Sequence, residues 1–300
     1  MSDKFPVMLI SPPRELDKRI NFPAMAQVKM DGMRAIVIKR DGEVTVFSRN
    51  GKKMIKLNHH FGGILEEMDN VMLDGELTVL DDKGEVMDRQ TGNGICHKAV
   101  DSVATISDEE VKQIRLTLWD IIDIKEFDLK KSIRGGMDRL ESLKKMRKHS
   151  LFSIVETWIV KDKAEAQGLF MDLVSRGEEG LILKNKDHLW EPKRSLQCVK
   201  MKEEIDVDFK IIGFAEGTGK ASGMLGAIQT QNKDGSIKVD VGTGFSDAQR
   251  IDIWSKQEQL LNTIIAIKHN GVITRKGTDT KSLYLPRFIE LRPDKDEVDM

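Results

Sequence analysis

The run RAIVIKRDGEVTVFS at 34–48 alternates on both sides of Asp41-Gly42. Asp-Gly accepts the positive φ angles of a tight primed turn, so the spacing predicts two antiparallel strands joined in a hairpin. Further strand-like runs follow at 71–79, 116–124, 154–160, 180–184 and 198–202. Helical patterns lie between them. In 136–148, Met137, Leu140, Leu143 and Met146 fall on one stripe, and in 164–175, Leu169, Phe170, Leu173 and Val174 do the same. There is no regular βαβ alternation. The expected class is α+β, with antiparallel sheets and helices.

A boundary is expected near 203–206, where the charged stretch KEEIDVD separates two strand signals. This divides the chain into 1–203 and 204–300. Beyond the boundary, 208–245 reads as short strands with Gly-rich turns, including a second hairpin across Lys233-Asp234-Gly235. Residues 246–261 read as one amphipathic helix, with Ser246 as N-cap and Ile251, Trp254 and Leu261 facing inward. Strands return at 264–267 and 286–292. About five strands and one helix in roughly 95 residues match an OB-fold β-barrel.

Composition narrows the function classes. The formal net charge is −1, so any grip on nucleic acid must come from local positive charge. Two such runs stand out. In 268–295, Lys268, Arg275, Lys276, Lys281, Arg287, Arg292 and Lys295 outnumber the acids. Lys144-Lys145-Met146-Arg147-Lys148 is the other, although cations also suit a helix C-terminus. The 2 cysteines, Cys96 and Cys198, form neither a zinc framework nor a disulfide scaffold, which fits a reducing compartment. The N-terminal MSDKFPVMLI has no basic region ahead of a long apolar stretch, and no apolar run approaches membrane-spanning length. A soluble cytoplasmic monomer without membrane contact is expected.

Chemistry starts at Lys29-Met30-Asp31-Gly32-Met33-Arg34, which reads K-x-D-G-x-R. Gly32 permits close backbone approach to a ligand. Lys29 is a nitrogen nucleophile suited to phosphorus, once nearby cations favour its neutral form. Arg34 offers a planar fork to a phosphate. Such a run could also be a surface turn with a salt bridge, so later elements decide. In order they are Ser48-Arg49-Asn50-Gly51, Leu73-Asp74-Gly75-Glu76-Leu77, Trp119-Asp120, Glu179-Gly180-Leu181-Ile182-Leu183-Lys184, Lys200-Met201-Lys202 and Arg292-Pro293-Asp294-Lys295. Each has an ordinary reading when taken singly. Asp-Gly-Glu is a common turn, Trp119 suits a core, and Lys-x-Lys suits a solvated strand edge.

Ordered and spaced as they are, these elements resemble the covalent nucleotidyltransferases. Within that superfamily the chain looks like the ATP-dependent DNA ligases, most like the short bacteriophage-type enzymes. The resemblance runs over nearly the whole chain. It implies a nucleotidyltransferase (adenylation) domain followed by the OB-fold. It implies that Lys29 carries AMP, and that Arg49 touches the ribose or the nick phosphate. Glu76 would hold ribose or a metal, Trp119 would stack on adenine, and Glu179 would face a metal. Lys184 closes the E-G-x-x-x-K element, Lys200 and Lys202 would grip the α-phosphate, and Arg292 and Lys295 would assist departure of pyrophosphate. Val241-Gly242-Thr243-Gly244-Phe245-Ser246 resembles a turn of ligase OB domains.

The implied reaction has three steps: Lys29 attacks the α-phosphorus of ATP, AMP passes to a 5′-phosphate at a nick in duplex DNA, and the 3′-hydroxyl displaces it. Glu76 and Glu179 are hard oxygen ligands suited to Mg2+. Lys29 lies in the first domain and Arg292 and Lys295 in the second, so a hinge is expected near 203–206. Two positions depart from the usual pattern. Gln27 stands where many relatives carry glutamate facing the adenine amino group; its oxygen suits adenine and its NH2 suits guanine. Trp119 replaces the commoner phenylalanine or tyrosine. The histidines, including His59 and His60, match no element and read as ordinary surface or core residues. A GTP-dependent mRNA-capping guanylyltransferase shares K-x-D-G-x-R and R-x-D-K, and an RNA ligase usually lacks the OB-fold. A non-catalytic OB-fold nucleic-acid binder would need no nucleophile.

Overall fold

Asp41 and Gly42 adopt φ angles of 48° and 86°. Around them Met33–Arg40 pairs antiparallel with Glu43–Ser48, the hairpin that Asp-Gly dictates. The computed structural model describes residues 5–100, 106–202, 205–274 and 281–298. It divides into two units, Met1–Lys202 and Glu203–Met300.

The first unit holds two five-stranded sheets. One has the order Leu9–Ser11, Arg194–Lys202, Gly180–Lys184, Ala24–Val28, Thr157–Val160. The other has the order Glu43–Ser48, Met33–Arg40, Val71–Val79, Ile114–Asp123, Phe152–Ile154. Pairing is antiparallel except at Leu9–Ser11 with Arg194–Lys202 and at Ile114–Asp123 with Phe152–Ile154. Each sheet buries a face under helices. Leu57 and Phe61 of Ile55–Gly62 and Leu143 of Gly136–Lys144 cover the second sheet, while Ala166 and Leu173 of Lys163–Ser175 cover the first.

Two expectations for this unit change. The run 154–160 is not one strand. Phe152–Ile154 belongs to one sheet and Thr157–Val160 to the other, with Val155 and Glu156 crossing between them. The helix expected over 136–148 ends at Lys144. The basic run therefore trails off its C-terminus, where Lys144 pairs with Glu141 at 2.8 Å and Arg147 with Glu67 at 3.2 Å.

The second unit is an OB-fold. Its five-stranded antiparallel sheet runs Lys238–Val241, Leu225–Gln231, Ile205–Glu216, Ile264–His269, Arg287–Leu291. A bridge between Ile237 and Lys281 ties that end of the sheet to the short pair Val272–Thr274 and Lys281–Leu283. Val207, Phe209, Ile228, Val239, Ile265 and Phe288 fill the interior. Ser246 caps Asp247–Ser255 with a full capping box, donated to by Gln249 N at 3.2 Å. The expected single helix is instead broken at Lys256, and Gln257–Leu260 is separate. Ile251 and Leu261 face outward, and Ile253 is the buried residue. A helix start is marked locally by its cap, but its inward face is set by the barrel it meets. The expected hinge falls partly on residues 203 and 204, which lie outside the described residues, as do Arg275 and Lys276. Among the described residues no helix is long and apolar enough to cross a membrane.

Candidate active site

Ala24–Val28 ends in one sheet of the first unit and Met33–Arg40 begins in the other. The turn Lys29-Met30-Asp31-Gly32 therefore crosses from sheet to sheet, and Lys29 N donates to Gly180 O at 2.9 Å. Gly32 lies directly on the neighbouring strand. A Cβ there would meet Leu77 O at 2.2 Å and Glu76 Cγ at 2.9 Å, so only glycine closes this turn. Gly32 N donates to Glu76 Oε1 at 3.3 Å.

A cleft of about 660 Å³ opens over this turn. It is lined by Gln27, Lys29, Arg34, Arg49, Glu76, Trp119, Glu179, Lys184 and Lys200, so most of the residues singled out in the sequence converge. Of the remaining three, Lys202 belongs to the same unit and is not among the lining residues. Lys202 lies on the same strand face as Lys200, two residues on. Arg292 and Lys295 belong to the second unit, where Lys295 pairs with the buried Asp208. Arg292 reaches Asp294 at 2.9 Å and Asp208 at 3.5 Å.

The charges around Lys29 are paired. Its ammonium forms an ion pair with Glu179. Lys200 is half-buried and its pKa is lowered, by burial first and then by Lys202 and Lys29. Glu76 is pushed up to about 7 by burial, against the pull of Lys29 and Arg34. Asp31 is raised by burial, with Arg89, 2.6 Å away, opposing. Arg34 does not offer a free fork. Its Nε and Nη2 hold Asp74 at 2.9 and 2.5 Å, and its Nη1 donates to Met8 O at 2.7 Å. Its guanidinium also sits 5.6 Å from the Trp119 ring centroid, so it braces the wall of the cleft.

A buried ionic layer joins Asp120 and Lys184, both marked in the sequence, to Arg139 and His188, which no motif contains. Arg139 is fully buried and grips Asp120 at 2.7 and 2.9 Å. Burial works to raise Asp120, but the Arg139 guanidinium overrides it and holds the carboxyl below its usual range. Arg139 Nη2 also donates to His188 Nε2 at 3.1 Å, and His188 Nδ1 donates to Asn185 O at 2.8 Å. Burial and then Lys184 push His188 down to about 3, so it is neutral. Lys184 is buried beside Asp120 and Asp74, and burial lowers its pKa. A single arginine in a polar helix reads as a surface residue, so no sequence signal marked Arg139. Arg89, Asn93 and His97 also line the cleft, from the helix Arg89–Lys98. Their spacing of four was the available signal. His97 is thus a histidine at the cleft wall, in a segment that no motif marks.

The cleft is lined by an amine, cations and carboxylates together with the flat ring of Trp119. Such a cleft can bind a nucleotide and attack its phosphorus. The family model for the ATP dependent DNA ligase domain matches residues 8–202, and that for the DNA ligase OB-like domain matches residues 216–292. The DNA ligase of Enterobacteria phage T4 is 30% identical across 331 aligned residues, covering 93% of this chain and 66% of the phage protein. The DNA ligase of Haloarcula marismortui is 25% identical, covering 91% of this chain and 52% of its own. The chain thus spans about two thirds or less of the length of these curated relatives. The solved structure named Pmar-Lig_PreS3 superposes with a TM-score of 0.80 at 27% identity, covering 96% of this chain and 68% of that one. A Lig E DNA ligase shares the fold, with a TM-score of 0.71 at 20% identity and 96% and 99% coverage.

Proposed function

The chain belongs to the ATP-dependent DNA ligases, and we propose that it seals nicks bearing a 5′-phosphate and a 3′-hydroxyl in duplex DNA. The observation that carries this reading is the turn at Lys29-Gly32, which joins two sheets and sets the nucleophile at a cleft between Glu179, Lys200 and the Trp119 wall. Lys29 Nζ gives its lone pair to the α-phosphorus of ATP. The bond to the bridging oxygen breaks, pyrophosphate leaves, and AMP remains on the nitrogen. For this the Lys29–Glu179 ion pair must open and the ammonium must lose its proton. The AMP then passes to the 5′-phosphate at the nick. Attack by the 3′-hydroxyl on that phosphate joins the strand and releases AMP.

Lys200 and Lys202 offset the charge on the α-phosphate, and Arg49, exposed at the rim, meets the ribose or the nick phosphate. Trp119 stacks on the base. Arg34 acts through Asp74, by bracing the wall, and Lys184 acts from below. Arg292 and Lys295 assist the departure of pyrophosphate. Glu76 and Glu179 both line the cleft, and two carboxylates completed by substrate phosphates suit Mg2+. When bound, that ion would neutralise phosphate charge as the leaving group departs. We further propose that the protein works as a monomer in the cytoplasm.

A labelled nicked duplex tests the proposal. Wild type with ATP and magnesium joins the strands, and Lys29→Ala does not. The same variant given nicked DNA that already carries AMP on its 5′-phosphate seals it, since the last step needs no lysine. Sealing by Lys29→Ala from ATP on unmodified DNA would sink the reading.

A further inference from the structure

Gln27 lies in Ala24–Val28 between two partners. It registers with Ile182 on one side and with Thr157 on the other. Its side chain is buried to 2% exposure, yet it lines the cleft together with Ile182 and Trp119. An apolar side chain and a flat ring suit a base, while Lys29, Lys200 and Arg49 suit phosphates. The Gln27 amide is therefore a polar group held at the base end. Which of its two ends faces the cleft decides which base it accepts. An oxygen accepts from the amino group of adenine; an NH2 donates to the carbonyl oxygen of guanine.

The neighbouring hydroxyl favours one orientation over the other. Thr157 Oγ1 donates to Val155 O at 3.1 Å. A hydroxyl has one proton, so toward Gln27 the same oxygen can only accept. Gln27 Nε2 donates to it at 3.2 Å. Turning the amide over would set its oxygen against a hydroxyl oxygen whose proton is already engaged. The amide is thus locked with NH2 toward Thr157 and its oxygen left for the ligand. We propose that Thr157 is a specificity-determining positioning residue: through Gln27 it makes the site accept adenine and reject guanine. Thr157 itself is not among the residues that line the cleft. The inference rests on the covalent labelling by ATP proposed above.

The test measures self-labelling with ATP and with GTP, by intact mass over time, for wild type, Thr157→Val and Thr157→Ser. Valine keeps the β-branched shape of an edge strand and removes only the hydroxyl. The ratio of ATP to GTP labelling rates is the readout, because a merely structural role would lower both rates together. The Thr157→Val ratio is expected to fall about three- to tenfold, the worth of one hydrogen bond. Thr157→Ser, which keeps the hydroxyl, holds the wild-type ratio. An unchanged ratio in Thr157→Val, or an equal fall in Thr157→Ser, overturns the inference while leaving the ligase reading intact. A wild type that neither nucleotide labels overturns the ligase reading, and the inference with it.

Discussion

Arg139 has no exposed surface and bonds Asp120, the Ser132 hydroxyl, the Arg134 and His188 carbonyls and the His188 ring. Removing one member of such a pair leaves an uncompensated buried charge. Arg139→Met is expected to cost about 3–5 kcal/mol in urea unfolding. Adding Asp120→Asn removes the stranded charge and recovers part of that loss; an equal loss in single and double variants contradicts the account. Glu76 gives the pH dependence. Its folded pKa is about 7 against an ordinary 4.5. Between those values the folded protein keeps a proton the unfolded chain has lost, so stability falls as pH rises through the window. Glu76→Gln lacks that titration. It should therefore gain on wild type by on the order of 2 kcal/mol from about pH 5 to about pH 8, after allowance for partial exposure. Melting curves check this, and a difference that does not move with pH refutes it. That Lys29, Glu76 and Trp119 line one cleft was legible because their runs follow one another in the order and spacing of the family they resemble. Arg139 and His188 were not, because burial of a charged or titrating residue depends on partners far along the chain.

The turn between the two sheets depends on Gly32. A methyl group there collides with backbone, and that backbone cannot yield without shifting Val71–Val79. Gly32→Ala is expected to lower self-adenylylation by about 100-fold, the effect of moving a nucleophile by an ångström. Nearly wild-type labelling would show that the turn tolerates more room than its contacts allow. The hairpin at Asp41-Gly42 and the cap at Ser246 were readable because a few adjacent residues determine them. The run 154–160 was not, since strand periodicity is the same in whichever sheet a residue joins. That division has consequences for the site: Val155 and Thr157 lie at the crossing, and the hydroxyl beside Gln27 comes with it.

Taken whole, the chain has nearly balanced charge, and its net value carried no sign of a nucleotide or DNA site. The two-unit architecture was legible from the shift to short strands and Gly-rich turns, and the OB-fold from its strand content. What the motifs could not convey was which side chains hold each of them within its own unit. Lys29, Glu179 and Lys200 converge in the first unit, whereas Arg292 and Lys295 are held by Asp208 in the second. Asp208 lies in the strand Ile205–Glu216 and belongs to no motif, so nothing in the sequence marks it as their partner. On our proposal Lys29 is the nucleophile that takes AMP from ATP. Intact mass of the protein mixed with ATP and magnesium tests it directly, for wild type beside Lys29→Ala. The account predicts a gain of one AMP in wild type and none in the variant. A gain of the same size in Lys29→Ala, or no gain in wild type first freed of any bound AMP with pyrophosphate, would contradict it.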